Sequence, residues 1–284
     1  MSRAVILKTE LGQIHTIGEL TQAFEGIASI HIAKLRDRVI ASKSFFSELW
    51  PVYRSLRIDP KERLAREGRT KKGRNVFVSV TSEGKLGNEV AEAITDTLIS
   101  NLGDSKNTEV IAVGTRGRQL LTQRGLPPVN TFTFPVSDVT INIGDIIREL
   151  YKYDQISVFY QTYESLRTQK IVRIDLVSAV RNLGESVGEE GETISSADYI
   201  FEPNINEIAD YMESVMMGVA FLQIIMESKL AGYATRFNAM SRAKKRASDL
   251  EGEFKRDYYR TKRAESDERL KEVLKAALVK GMNL

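Results

Sequence analysis

Apolar residues recur along the C-terminal third of the chain at alternating steps of three and four residues. Steps of this size keep one stripe of side chains on the side of a helix that faces a partner helix. Pro203 is the last proline, so no later residue forbids a helix. The pattern predicts one helix over 204–284, about 120 Å long at 1.5 Å per residue, whose stripe needs a partner. The stripe, with phase slips after its seventh and eleventh members, comprises Ile205, Ile208, Met212, Val215, Val219, Leu222, Met226, Leu230, Tyr233, Phe237, Met240, Ala243, Ala247, Leu250 and Phe254.

The N-terminal residues repeat this pattern and supply the partner. No proline precedes Pro51, so the sequence predicts a helix over 1–57. Because the two helices leave opposite ends of a central segment, they can meet only antiparallel. With an equal rise per residue from those ends, Ala4 should face Phe254, which leaves 255–284 without a partner in its own chain. The predicted stripe comprises Ala4, Leu7, Leu11, Ile14, Ile17, Thr21, Phe24, Ala28, His31 and Leu35.

The composition is that of a folded protein with few options for metal chemistry. Hydrophobic residues make up 42% of the chain and charged residues 28%. The absence of cysteine excludes disulfides, iron–sulfur clusters and thiolate zinc sites, and with only His15 and His31 we expect no metal or other cofactor. We expect His31 to be a packed residue of the stripe. With no signal peptide and no run of about 18 apolar residues, the sequence predicts a cytoplasmic protein without a transmembrane segment of its own.

Positive charge is concentrated in the predicted C-terminal helix. The net charge is only +3, but residues 242–263 hold nine Lys or Arg against four Asp or Glu. A basic segment that overlaps the unpartnered end favours an acidic partner or nucleic acid. A nucleic-acid-binding or scaffolding coiled coil with an α/β head is therefore an alternative, although only Tyr258 and Tyr259 could stack on bases there.

The central segment, 58–203, alternates predicted strands and helices. This order is typical of an open Rossmann-like α/β sheet. The sequence therefore predicts an α/β protein with three parts: a coiled-coil helix over 1–57, a Rossmann-like domain over 58–203, and a coiled-coil helix over 204–284. The predicted strands are 75–80, 109–113, 131–136, 155–163 and 170–177, the last two as a hairpin, and the predicted helices are 89–101, a short one ending at 124, and 143–153.

The sequence argues against nucleotide binding by this sheet. Residues 68–75 have the glycine spacing of a P-loop but lack its Lys and its hydroxyl residue. Residues 82–87 lack the spacing of a dinucleotide-binding turn. Both histidines lie in the N-terminal helix, so no Ser/His/Asp set forms, and we expect no catalytic residue.

Four motifs, spread over nearly the whole chain, resemble those of the gamma subunit of the F-type ATP synthases. Residues 20–28, LTQAFEGIA, are similar to the family's I-T-K-A-M-x-x-V-A, and residues 81–88 resemble a shortened form of its glycine-containing turn. Residues 199–203, YIFEP, are similar to Y-x-Y/F-E-P. Residues 227–240 resemble E-S/N-x-A-S-E-x-A-A-R-M-x-A-M, and these last two motifs are the most specific.

The resemblance implies a rotary shaft in a membrane-bound complex. The coiled coil would stand inside a hexamer of alternating alpha and beta subunits, and the α/β domain would rest on the membrane rotor ring of c subunits beside an epsilon-type stalk subunit. The protein would be peripheral on the cytoplasmic face of the membrane, with catalytic nucleotides on the beta subunits. Rotation of an asymmetric shaft would impose different conformations on three chemically identical sites.

The resemblance also implies partner contacts, with some departures from the family pattern. Phe24 stands in place of a methionine, Lys262 of an arginine, Arg263 of a glutamine and Arg269 of a glutamate. Residues 244–246, KKR, replace the family's T-D-N and resemble the sodium-translocating alternate branch, so both branches stay open. The implied beta-subunit contacts are Phe24, Arg236, Lys262, Arg263 and Arg269, and the implied contacts with the rotor ring or companion stalk are Tyr199, Phe201 and Glu202.

Overall fold

The structure is a computed structural model that describes residues 2–56, 74–82, 88–103, 108–135, 141–176 and 205–281. Five helices and five strands are assigned within these ranges. As predicted, the first and last elements are long uninterrupted helices. In chain order the elements are α1 (Arg3–Leu56), β1 (Asn75–Val80), α2 (Asn88–Leu102), β2 (Thr108–Val113), α3 (Thr115–Gln123), β3 (Asn130–Phe132), α4 (Gly144–Leu150), β4 (Gln155–Tyr163), β5 (Gln169–Asp175) and α5 (Ile205–Gly281).

The five strands form one sheet in the order β3-β2-β1-β4-β5. Strand β1 is parallel to both β2 and β4, and β2 is parallel to β3. Strand β5 is antiparallel to β4, so the predicted hairpin is present. The third strand is shorter than predicted and ends at Phe132. A mostly parallel sheet with helical connections confirms the predicted Rossmann-like α/β fold.

Both faces of the sheet are covered, which explains the continuous apolar runs of its strands. Alternate residues of a strand point to opposite faces, so Val78 and Phe77 enter different cores. Val78 packs in a cluster that includes Phe46 of α1 and Phe221 of α5. Phe77 packs in a second cluster with Leu98 of α2.

The chain divides into two compact units, and α1 and α5 contribute to both. We call Met1–Ala28 with Phe237–Leu284 the coiled-coil unit, and Ser29–Arg236 the sheet unit. The predicted domain limits at 57/58 and 203/204 lie outside the described residues and stay predictions.

Helix α5 contains one window that is long and apolar enough to span a membrane, within Tyr211–Ala277. No such window was expected from the sequence. However, 72% of that window is buried inside the protein. Its apolar character is therefore that of a core helix packed against a sheet.

Candidate interaction site on the coiled-coil unit

A strict alternation of three- and four-residue steps runs along the side of α1 that is shielded from solvent. Gly18 and Glu25 occupy two of its positions. The sequence pattern predicted Ile17 and Phe24 at those positions, but these residues are 52% and 56% exposed, so that prediction is wrong. Side chains of consecutive residues in a helix point about 100° apart. The regular heptad spacing, rather than the apolar character of each residue, therefore determines which side chains lie at the seam between the helices. The shielded positions are Ala4, Leu7, Leu11, Ile14, Gly18, Thr21, Glu25 and Ala28.

The two unexpected seam residues have specific partners on α5. A Cβ atom built on Gly18 would lie 3.8 Å from Cβ of Ala247, so two small residues face each other there. The Lys244 ammonium donates a hydrogen bond to Oε2 of Glu25 at 3.1 Å. That hydrogen bond lowers the pKa of Glu25 below its ordinary value, although desolvation opposes the shift. The seam therefore combines close packing with an ion pair.

The register is fixed at the start of α1 by Glu265. The Ser2 hydroxyl donates one hydrogen bond that the two carboxylate oxygens share, at 2.7 and 2.6 Å, and the Ala4 amide donates another at 3.1 Å. These bonds lower the pKa of Glu265, and the Ser2 hydroxyl has the largest effect. A carboxylate that accepts a first-turn amide acts as an N-terminal cap, supplied here by the other helix.

This register corrects the sequence prediction. The Ala4 amide contacts the Glu265 side chain and Gly18 faces Ala247, so Ala4 lies about two to three helical turns beyond the predicted level of Phe254. The prediction assumed that the two helices are aligned at the ends next to the central segment. In the structure, close packing and polar pairs between α1 and α5 determine their axial alignment. Lys262 and Arg263 therefore lie alongside α1, and only the residues after Glu265 extend past it.

The three basic residues implied as beta-subunit contacts lie on the surface of the coiled-coil unit. Lys262, Arg263 and Arg269 are all exposed. The Lys262 ammonium lies 5.8 Å from the centroid of the Tyr258 ring, and Arg269 is close enough to Glu265 to help lower its pKa. After Glu265, the described side chains of α5 include three exposed large apolar residues, which are Leu270, Val273 and Leu274.

Phe24 belongs to a second apolar stripe on α1, which we call the flanking stripe. Its four residues follow steps of three, four and three, and each is slightly more than half exposed. Contiguous exposed apolar residues of this kind mark interaction surfaces. This stripe was not predicted, because the sequence pattern merges two adjacent apolar sides of α1 into one. The flanking stripe comprises Ile17, Leu20, Phe24 and Ile27.

Arg236 lies in the sheet unit, in a partly buried setting. Its guanidinium lies 5.4 Å from the centroid of the Tyr233 ring. Tyr233 in turn stacks on His31, with ring centroids 4.6 Å apart, so His31 is a packed residue as expected. Arg236 and Lys229 also line a cavity of about 140 Å³ with Ser82, which follows β1.

The glycine-rich turn between β2 and α3 is filled by protein rather than open to a phosphate. Gly114 has a φ of 110°, and a Cβ atom there would lie 2.2 Å from the Thr81 carbonyl oxygen. The Gly117 amide, in the first turn of α3, donates a hydrogen bond to the Thr81 hydroxyl at 3.1 Å. The absence of side chains at Gly114 and Gly117 therefore leaves the space that Thr81 occupies. No local sequence pattern identifies Thr81 as the residue that occupies this turn, because Thr81 is more than 30 positions away in the chain.

Some predicted features lie beyond the described part of the chain. Tyr199, Phe201 and Glu202 are outside the described residues, as are the glycines of 68–73 and 84–87. Within the described ranges, no group of three or more His, Asp or Glu side chains is placed to hold a metal ion.

Comparison with protein families gives a match over almost the whole chain. Residues 5–278 match a family described as ATP synthase. The ATP synthase gamma chain of Cytophaga hutchinsonii is 22% identical, over 95% of this chain and 96% of that protein. The gamma chain of Mycoplasmoides gallisepticum is also 22% identical, over 95% of this chain and 97% of that protein.

Solved structures share the fold at low sequence identity. A chain from the Euglena gracilis mitochondrial ATP synthase, solved with OSCP, F1 and the c-ring, matches with a TM-score of 0.58 and 14% identity. The match covers 97% of this chain and 94% of that one. A chain from the central stalk and c-ring of the Tetrahymena thermophila enzyme matches with a TM-score of 0.57 and 17% identity, over 79% of this chain and 99% of that one.

Proposed function

Because this chain belongs to the gamma-subunit family of the F-type ATP synthases, we propose that it is the central-stalk rotor that couples ion-driven rotation of a membrane ring to nucleotide turnover. Membership in a membrane-associated complex makes it a peripheral membrane protein, and we place it on the cytoplasmic face. The family match extends over the coiled-coil helices and the sheet, so the nucleic-acid-binding alternative is set aside.

The observation that carries the proposal is the pairing of α1 with α5 together with the flanking stripe. Two helices joined by the Glu25–Lys244 pair and the Glu265 cap form a defined antiparallel coiled coil. The four residues of the flanking stripe then remain exposed on α1. A shaft that turns inside the hexamer of alpha and beta subunits needs such a surface. The hexamer can respond to rotation only if its contacts with the shaft change with the rotation angle.

We assign the flanking stripe and the basic residues to contacts with the beta subunits. Phe24 would contact apolar positions of the surrounding beta subunits. Lys262, Arg263 and Arg269 would meet acidic positions, whose attraction falls off gradually with distance and so permits turning. Arg236, which is partly buried beside Tyr233, would contribute from the sheet unit. Tyr199, Phe201 and Glu202 are proposed as contacts with the rotor ring or an epsilon-type stalk subunit.

Reconstitution tests the proposed function. The purified chain should not hydrolyse ATP, whereas its mixture with cognate alpha and beta subunits should form one complex with multi-site hydrolysis. The matched control omits this chain from the same alpha and beta mixture. Turnover by the isolated chain, or a complex whose hydrolysis does not depend on this chain, would contradict the proposal.

A further inference from the structure

The end of β4 is joined to α5 by a group of hydrogen bonds within the sheet unit. Oε2 of Glu227 accepts a hydrogen bond from the Tyr160 hydroxyl at 3.2 Å and from the Thr162 hydroxyl at 3.3 Å. Further along α5, the Thr235 hydroxyl accepts a hydrogen bond from the Gln161 side-chain amide at 3.1 Å. We call these five residues the polar clamp.

The polar clamp attaches neighbouring residues of β4 to two different levels of α5. Adjacent residues of a strand point to opposite faces. Tyr160 belongs to the apolar cluster that contains part of α5, and Gln161 borders a small gap that is also lined by Ile94 of α2 and Ser228 of α5. Glu227 and Thr235 are eight positions apart, about 12 Å along the helix axis. The strand is therefore attached to α5 at two separated points.

The polar clamp is a largely buried network of hydrogen bonds whose phenol donor stays protonated. Tyr160 is 5% exposed and Gln161 8% exposed. Burial, and then the Glu227 carboxylate, raise the pKa of Tyr160 above its ordinary value, so the phenol keeps its proton and remains a donor. Oε1 of Glu227 accepts a third hydrogen bond, from Gln223 at 3.1 Å, which orients the carboxylate from within α5.

Hydrogen bonds and apolar packing resist different motions of a helix on a sheet. The apolar contacts of α5 resist its separation from the sheet, but they are non-directional and tolerate sliding. Hydrogen bonds weaken steeply as their geometry departs from alignment. Two such attachments at separate levels therefore resist both axial sliding and rotation of α5 over β4.

We propose that Glu227 and Thr235 are positioning residues that transmit torque between the sheet of this subunit and helix α5. This inference rests on the proposed rotor function. In a rotor, force applied to the sheet must rotate α5 without relative sliding of the two. The attachment of β4 to α5 therefore determines the torsional stiffness of the connection between the sheet and the helix. The role that we propose for the polar clamp is mechanical.

Substitution of Thr235 offers a closely matched control in the same unit. Thr235→Val and Thr97→Val each remove a hydroxyl that donates to the carbonyl four residues earlier, at 3.0 Å and 2.7 Å. Only Thr235 also accepts a hydrogen bond from β4. A clamp variant, E227Q/T235V, is compared with a control variant, T97V/I225V, in which Ile225→Val trims the apolar contact of α5 instead.

The experiment uses the complete complex reconstituted in vesicles. We measure the melting temperature of each chain, ATP hydrolysis by the soluble alpha–beta–gamma assembly, ions pumped per ATP in the vesicles, and torsional stiffness by single-molecule rotation with the probe on the sheet. In the clamp variant, pumping per ATP should fall at least about twofold, the lower end of effects expected for coupled networks, while soluble hydrolysis stays close to wild type. Stiffness should fall with it.

The control variant separates this role from loss of stability. It should have a lowered melting temperature but wild-type pumping per ATP and stiffness. Unchanged pumping and stiffness in the clamp variant, or an equal loss in the control, would overturn the inference. If the clamp variant does not assemble, T235V measured against T97V decides by the same criteria. Failure of the wild-type chain to assemble with alpha and beta subunits would instead contradict the proposed function itself.

Discussion

Lys244 and Glu25 form an ion pair across the seam of the coiled-coil unit, with 3.1 Å between Nζ and Oε2. The Glu25 side chain is only 18% exposed, whereas that of Lys244 is 44% exposed. A charged pair on a seam specifies register, because sliding one helix along the other would leave the shielded carboxylate without its partner. This pair and the Glu265 cap therefore hold α1 and α5 in the observed alignment.

The Glu25 pair should make the coiled coil less stable in acid. The pKa of Glu25 is lowered in the folded state, so the pair stabilises the protein above the unfolded pKa of about 4.3 and stops doing so as pH falls through the folded value. At pH 7, Glu25→Gln should cost roughly 0.5 kcal/mol, a small value because Lys244 is solvent-screened. Unfolding temperatures of both proteins should converge near pH 2 (about two units below the unfolded pKa), and a difference that persists there would contradict this account.

Phe24 should matter for coupling and not for folding. Its side chain is more than half exposed and lies off the seam, so Phe24→Ala should change the stability by about 0.5 kcal/mol or less. In the assembled complex the same change should lower coupled hydrolysis on the order of fivefold, as for truncation of an interface anchor. Phe24→Met, which restores the residue usual in the family, should retain activity. Loss of folding in the alanine variant, with activity per folded complex unchanged, would place Phe24 on a structural surface instead.

Gly114 should be among the least replaceable residues of the sheet unit. A Cβ atom at this position would meet the Thr81 carbonyl at 2.2 Å, and the residue also has a positive φ. Gly114→Ala should therefore destabilise the protein by about 3 kcal/mol or more. Gly125→Ala is the control, since its φ is 79° but no atom lies within 4 Å of the added methyl, and its cost should be about 1 kcal/mol. Chemical denaturation measures the loss of stability in both variants. Equal losses would mean that backbone strain from the positive φ, and not the contact with Thr81, accounts for the effect at Gly114.

The exposed basic residues of α5 should act through charge. Reversal of Lys262, Arg263 and Arg269 to glutamate should slow coupled hydrolysis and increase its sensitivity to salt, because attraction to acidic positions would become repulsion that salt screens. Assembly should survive, since none of the three lies on the seam. The control reverses the same number of exposed arginines in the sheet unit, at positions 118, 148 and 167. Unchanged turnover at low salt in the first variant would show that these residues are only a solvated surface.

The sequence by itself determined the architecture and the family of this protein. Long stretches with one helical period, free of proline except at Pro51, specify α1 and α5, and apolar runs separated by polar turns specify the sheet, because these signals are local. The four family motifs needed no structure, since each depends on residue identity and spacing. The same local signals could not choose between two adjacent apolar sides of α1.

Only the tertiary structure decided which residues meet across the seam and at what level. Ile17 and Gly18 differ by one position in sequence but by about 100° around the helix, and the regular period of the pairing selects the glycine. The register opposite Glu265, the place of Thr81 beside Gly114, and the attachment of Gln161 to Thr235 each join residues far apart in the chain. Such pairs depend on the close packing of whole elements, which no local pattern of hydrophobic and polar residues encodes.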